Sequence, residues 1–422
     1  MISIINRTEA DNRIIEDTVV NILRYSSLSA DNDIEIIYCE HLPDDKRGIY
    51  IVRTTGVSIS EGLENCCTIR EGLKVVKQLQ GIPLVYKFNE MYILSFDIFE
   101  LMRNSLLEPQ ADSININRPF TAELTVLFRE CMEAIYADSN KSLQLQVGFK
   151  PGYIPTFDID RYHYKFPIKT IYHRLMSLLG RKSGYLEISR KGNVWDNISE
   201  VNDIIADVSR AVFFFMTVRK DRFARRYSPS QIPRMSDSID NRHIRGIHLS
   251  YESGIEPRRM GKEIAQLKQY VNNPDFARFH YLYEPQLDHY REMHSYGIKL
   301  DSSVGFTDRC GFKKGMPGIY AVPGTGVYEL PVICMDSALK FAMLKDDDNT
   351  GKLLDEIEKF GGSFTFIFHQ SALSEDTFPG YRDLLNKFLS LPRERGWHSS
   401  DPLQLIAEME QLRKSVTVGY SN

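Results

Sequence analysis

The chain of 422 residues contains no run of about 18 consecutive apolar residues, so no bilayer-spanning helix is expected. Its first ten residues, Met1 to Ala10, lack the long apolar core of a secretory signal, and as given the protein is expected to stay in the cytoplasm. Charge of one sign is scarce too. With 52 Lys and Arg against 56 Asp and Glu, the formal net charge is −4 and the pI is near 6.2. Nothing global draws such a chain to nucleic acid or to an acidic membrane, and any charge argument has to be local. Cysteine is sparse and scattered: Cys39, Cys66, Cys67, Cys131, Cys310 and Cys334 include no C-x-x-C pair, which excludes the common zinc and redox motifs. Buried free thiols are the expectation, since free cysteine is among the most buried residue types.

What remains is a globular composition, 42% apolar and 26% charged, over a length two to three times that of a usual domain of about 100–200 residues. Two domains are expected. Residues 1–145 read as a smaller mixed α/β domain with no catalytic constellation, closed by a helix over Thr121–Tyr136. In that helix Leu124, Leu127, Phe128, Cys131 and Ile135 recur at helical spacing.

Residues 146–422 change texture, with short apolar runs alternating with amphipathic stretches as β-α units of a parallel sheet do. Seven strands are predicted: Tyr153–Asp158, Ala211–Val218, Arg245–Ser250, Ala277–Tyr283, Ile298–Val304, Val332–Met335 and Ser363–His369. The predicted fold is therefore α/β, a (β/α) barrel of about seven parallel strands preceded by the smaller domain. Helices are predicted between the strands, among them Ile168–Leu179 and Val201–Arg210.

In such barrels the reacting groups sit where strands end. Asp158 and Asp160 stand two positions apart at the end of the first strand, so alternation points both carboxylates one way. One can bind a cation while the other serves as base toward its water. His248 lies near the end of the third strand, His280 within the fourth, Asp301 in the fifth, and His369 ends the last. Each alone is equally compatible with a solvated acid or a core imidazole; the weight lies in several such groups meeting at one rim. A basic loop, Arg219 to Arg226, follows the second strand and could grip an anionic group through Arg222, although a solvated charged loop is the plainer reading. Tyr251, Tyr281, Phe306 and Phe312 are candidates to stack on sugar rings.

The series D-x-D (Asp158, Asp160), G-x-H-x-S-Y (Gly246 to Tyr251), R-x-H-Y-L (Arg278 to Leu282), D-S-S-x-G-F (Asp301 to Phe306) and F-H (Phe368, His369) resembles the polysaccharide deacetylase family, also called the NodB-homology domain. The likeness is to the branch with an N-terminal domain of unassigned function, in enzymes associated with bacterial surface polysaccharides. It covers roughly Gly152 to Gly396, and more loosely the residues before.

The resemblance implies Asp158 as catalytic base, Asp160 and His248 as metal ligands and His369 as general acid. It also implies a pocket wall over Gly305 to Lys313 that positions the base. Two positions depart from the family pattern. Glu252 stands where a second histidine is usual, so His280 on the neighbouring strand is preferred as third ligand, with Glu252 as the alternative. Lys313 stands where an arginine is usual, so Arg278 is a candidate to help hold the base.

The expected cofactor is a divalent metal, zinc first, with nickel, cobalt and iron as alternatives. The expected partner is an N-acetylated sugar or glycan, with Tyr251, Arg278, Lys313 and Arg222 on the substrate. The expected reaction releases acetate from a bacterial surface polysaccharide or its precursor. A non-catalytic glycan-binding or assembly partner, and a hydrolase of a non-sugar amide, are the competing readings.

Overall fold

A computed structural model describes residues 1–42, 47–53, 73–108, 115–164, 167–179, 181–221, 224–225, 227–338 and 349–420. The protein is mixed α/β and is organised around two large sheets. Among the described residues no helix is long and apolar enough to cross a membrane.

The first sheet holds β1 (Ile2–Arg7), β2 (Ile34–Cys39), β3 (Gly48–Val52), β4 (Lys74–Leu79), β5 (Ile82–Phe88) and β6 (Met91–Leu94). Its order is β1-β2-β3-β6-β5-β4, with β4 to β6 antiparallel and the rest parallel. The edge beside β1 is taken by the C-terminal strand Val416–Tyr420, which runs parallel to it. Residues 1–145 therefore do not make this sheet alone. The ion pair of Arg413 with the buried Asp17, at 2.7 Å, ties the same end of the chain to the first helix, Asn12–Tyr25.

The second sheet contains β7 (Gly152–Ile159), β8 (Val212–Met216) and, beyond a two-residue ribbon of β9 (Lys220–Asp221) with β10 (Ala224–Arg225), β11 (Ile244–Leu249) and β12 (Phe276–Phe279). It continues with β13 (Leu300–Asp301), β14 (Tyr320–Ala321), β15 (Tyr328–Glu329), β16 (Cys334–Met335) and β17 (Ser363–His369). The spatial order is β14-β15-β13-β12-β11-β8-β7-β17-β16, all parallel except β14. The two ends of this order meet in one extended segment. Leu330 and Val332 donate to the carbonyls of Asp301 and Val304, while Ile333 donates to Thr365 of β17.

Both faces of β7 and β8 are buried, which explains why they read as unbroken apolar runs such as Phe213-Phe214-Phe215. Gly246 lets the central strands close up. A Cβ there would stand 2.8 Å from both the Phe214 ring and the Phe276 carbonyl oxygen. The helix Thr350–Phe360 stops at Gly361, whose φ of 63° is readily adopted only without a side chain, and the chain turns at once into β17.

Three expectations are corrected. The predicted helix over Val201–Arg210 lies at Ile198–Ile204, because the chain turns after Ile205 and buries Val208 and Ala211 on its way into β8. The fourth strand stops at Phe279, so His280 sits in the turn after it. Cys310 and Cys334 are joined, their segments held together by the Gly311 N–H bond to the Ile333 carbonyl, while Cys131 is a buried free thiol and Cys39 is buried with its Sγ toward the Ile51 carbonyl. Cys66 and Cys67 lie outside the described residues.

Candidate functional site

The ends of β7, β8, β11, β12 and β17 bring the strand-end acids and imidazoles to one place. Asp158 of β7 is opposite His369 of β17 in register, and His248 of β11 is opposite Arg278 of β12. Asp158 Oδ2 lies 3.7 Å from His248 Nε2, and Asp160 Oδ2 lies 3.7 Å from His280 Nε2. The two imidazole rings meet edge to face, with centroids 5.1 Å apart. Asp158, Asp160, His248 and His280 are all buried.

Asp158 is gripped by Arg278. Nη1 of Arg278 donates to Asp158 Oδ1 at 2.9 Å and to Thr156 Oγ1 at 2.8 Å, while Nε and Nη2 donate to the carbonyl and hydroxyl of Ser302. The guanidinium also lies over the Phe214 ring. Burial by itself would raise the Asp158 carboxyl, but Arg278, then His248 and His369, outweigh it and hold the group below the ordinary carboxylate range. Arg278 is fully buried, which corrects the expectation that it contacts substrate. The expected wall residue Lys313 pairs with Glu284 at 2.9 Å, as does the neighbouring Lys314 at 2.7 Å. The wall residue Phe312 is buried, and its N–H bonds to the Ile116 carbonyl in the first half of the chain, so it is core and not a stacking surface.

His248 is locked in one tautomer. Its Nδ1 donates to the Arg278 carbonyl at 3.0 Å, leaving Nε2 as a lone-pair nitrogen, buried and without a hydrogen-bond partner. Burial pushes its pKa down to about 4, so the ring is neutral at physiological pH. A buried acceptor nitrogen left unmatched is costly, and such a group calls for an ion, a water or a ligand.

His280 is oriented by Asp221 of β9, whose Oδ2 accepts from Nδ1, so that Nε2 faces Asp160. The backbone just past it is unusual. Tyr281 and Leu282 take φ of 61° and 48°, left-handed values that bulky residues rarely adopt. Glu252 is turned to Asp221, and the hydrogen bond they share, with burial, raises the Glu252 carboxyl above its ordinary value. A cleft of about 800 Å³ opens along this side, lined by Asp221, Ser250, Glu252, Arg258 and Lys262 among others.

His369 is the group of opposite charge. Its Nδ1 donates to Asp336 at 3.0 Å, and its backbone N–H bonds the same carboxylate at 2.9 Å. Burial would lower its pKa, but Asp336, with Asp160 and Asp158 beyond it, raises it to about 10, so the ring carries its proton at neutral pH. Tyr251 donates its backbone N–H to Asp221, and Tyr281, 41% exposed, stands edge to face with it. Arg222 lies outside the described residues. Asp301 is buried and hydrogen-bonded to Ser303, away from any substrate role.

Sequence reasoning missed Asp221 and Asp336. Asp336 directly follows β16, the same strand-end signal that picked out Asp158. Asp221 is the one acid in a loop read only for its arginines.

Among the described residues no three His, Cys, Asp or Glu side chains form a ready-made ligand set around one point. Asp160, His248 and His280 are neighbours in pairs. Their fit to a metal rests on the unmatched His248 Nε2 and on the buried mix of two imidazoles with carboxylates.

No family model matches the chain, and no curated protein does. Among solved structures it is similar to a protein from Mycobacterium smegmatis described as a candidate polysaccharide deacetylase, at 14% identity and a TM-score of 0.40, over 66% of this chain and 96% of that one. A family 4 carbohydrate esterase from Streptomyces lividans, solved with acetate, is similar at 12% identity and a TM-score of 0.29, over 59% and 92%. At this distance the chemistry has to be built from the chain's own residues.

Proposed function

We propose that the protein is a metal-dependent hydrolase that removes N-acetyl groups from a sugar of a bacterial surface polysaccharide or its precursor. One observation carries this reading: a carboxylate kept ionised by Arg278 and an imidazolium kept protonated by Asp336 end adjacent strands of one sheet. A base and an acid whose pKa values are driven apart at close quarters are what amide hydrolysis needs. The seven parallel segments are taken as a barrel closed through residues 328–335, which puts both groups at its C-terminal rim. Residues 146 to about 400 carry this unit, and residues 1–145 form the N-terminal one together with the returning C-terminal strand Val416–Tyr420.

Asp160, His248 and His280 would hold the cation, and two imidazoles with one carboxylate suit zinc. Such an ion supplies polarisation of the acetyl carbonyl and a more acidic water. The protein's own groups do the rest. Asp158 takes a proton from the attacking water as oxygen adds to the acyl carbon. The C–N bond then breaks, His369 gives its proton to the leaving nitrogen, and acetate and a free amino sugar result. The cleft beside Asp221 and Glu252 gives room for the glycan, with Tyr251 and the exposed Tyr281 as stacking surfaces.

The glycan-binding alternative draws on Glu252 and Lys313, but each departure has a replacement here. Arg278 grips the base and His280 faces Asp160. The test is acetate release from N-acetylated sugar oligomers and from small cyclic amides, with zinc supplied and Asp158→Asn as control. No release from either class, or release that Asp158→Asn leaves untouched, overturns the proposal; release from cyclic amides alone moves the substrate away from sugars.

A further inference from the structure

The helix Pro167–Leu178 follows closely on Asp160 and is amphipathic the wrong way round for a helix packed in a core. Its docked side is polar and aromatic. Thr170 Oγ1 meets Tyr185 OH at 3.0 Å, His173 Nδ1 meets Ser183 Oγ at 2.9 Å, and the His173 ring stacks on Tyr185. Its other side is greasy. Ile171, Leu175 and Leu178 recur at helical spacing on one face and, with Tyr172 and Leu179, are 53–84% exposed. Isolated exposed leucines need no explanation, but a contiguous apolar stripe on one short helix does.

Along this segment the charge is of one sign. From Arg161 to Leu186 the chain has no Asp or Glu, while Arg174, Arg181 and Lys182 are exposed on or just after the helix and Lys169 reaches over the Tyr185 ring, on a protein whose net charge is −4. A basic flank beside an apolar face matches an anionic lipid surface, which takes up the leucines and pairs with the cations. A second copy of the chain fits poorly, since a two-fold contact would set these cations against their own copies.

We propose that this face docks on an anionic bilayer and holds the strand-end site at the membrane surface. The inference stands apart from the hydrolase reading, because vesicle binding needs no turnover.

Sedimentation of the full chain with vesicles tests it, using phosphatidylglycerol mixed equally with phosphatidylcholine against phosphatidylcholine alone. The expected result is co-sedimentation with the anionic vesicles only, weakened by salt, and reduced about tenfold or more in a Leu175→Glu, Leu178→Glu variant. Arg174→Gln with Lys182→Gln, both exposed, should weaken binding several-fold and flatten its salt dependence, which covers the case in which the leucine variant misfolds. The proposal is overturned if the full chain ignores anionic vesicles or if neither variant changes binding. It is equally overturned by a concentration-dependent dimer in the ultracentrifuge that the leucine variant abolishes.

Discussion

Nη1 of Arg278 stands 2.9 Å from Oδ1 of Asp158, in an ion pair closed to solvent on both sides. The arginine also donates to Thr156 and twice to Ser302, so the carboxylate is held in position as well as in charge.

Arg278→Lys is expected to lower kcat by about a hundredfold while leaving KM nearly unchanged, because a lysine cannot reproduce the fork and the residue touches no glycan. Arg278→Met should also cost roughly 3–5 kcal/mol of stability, since it strands a buried carboxylate. Steady-state kinetics and denaturant melts check both. A change confined to KM would return Arg278 to the substrate.

Metal content of purified protein should fall for His248→Ala and for His280→Ala, and hold for Glu252→Gln, because Glu252 is turned to Asp221. Asp221→Asn is expected to weaken zinc binding about 10–100-fold by loosening His280. Metal analysis after dialysis decides. Unchanged metal in both histidine variants would remove these ligands from the proposal.

The pH profile of kcat/KM should be broad. Activity requires Asp158 unprotonated and His369 protonated, so the acid limb falls below the usual carboxylate value of about 3.9 and the alkaline limb lies near 10. Asp336→Asn removes the main group that raises His369 and should bring the alkaline limb down by several units. A wild-type alkaline limb at the ordinary imidazole value of about 6.5 would contradict the assignment.

His243, directly before β11 and at the end of that strand away from His248, offers a test of stability remote from the site. It is buried, and its Nδ1 accepts the Ala211 N–H at 3.1 Å, so protonation would cost that bond. Burial lowers its pKa to about 4. Between about 6.5 and 4 the unfolded chain takes up a proton that the native state refuses, so stability falls as pH drops through that window, by up to about 3 kcal/mol, and loses nothing further below it. Urea melts across this range should show the slope, and His243→Gln should reduce it, leaving the share of His248, which burial also lowers to about 4. An equal slope in the variant would assign the loss to other groups.

Much of the site could be read along the chain because parallel strands buried on both faces announce themselves as apolar runs, and their ends are where polar residues first appear. Asp158, Asp160, His248 and His369 are candidates by that rule, alternation gives a common direction to the two aspartates, and His280 reads as lying within its strand. His280 lies one residue beyond its strand, which periodicity cannot resolve when the turn that follows, at Tyr281 and Leu282, uses left-handed backbone and leaves no glycine to mark it.

By itself the sequence determined the β-α alternation after residue 146, its main sheet-forming runs and the residue types at their ends, since these depend on local spacing and burial preference. Tertiary structure alone decided who meets whom: Arg278 on Asp158 in place of Lys313, Asp336 on His369, Asp221 on His280, Cys310 beside Cys334, and the last strand beside the first. Each of these joins residues on different elements, and hydrophobic periodicity, which senses only the burial of a segment's own faces, carries no record of the partner across the gap.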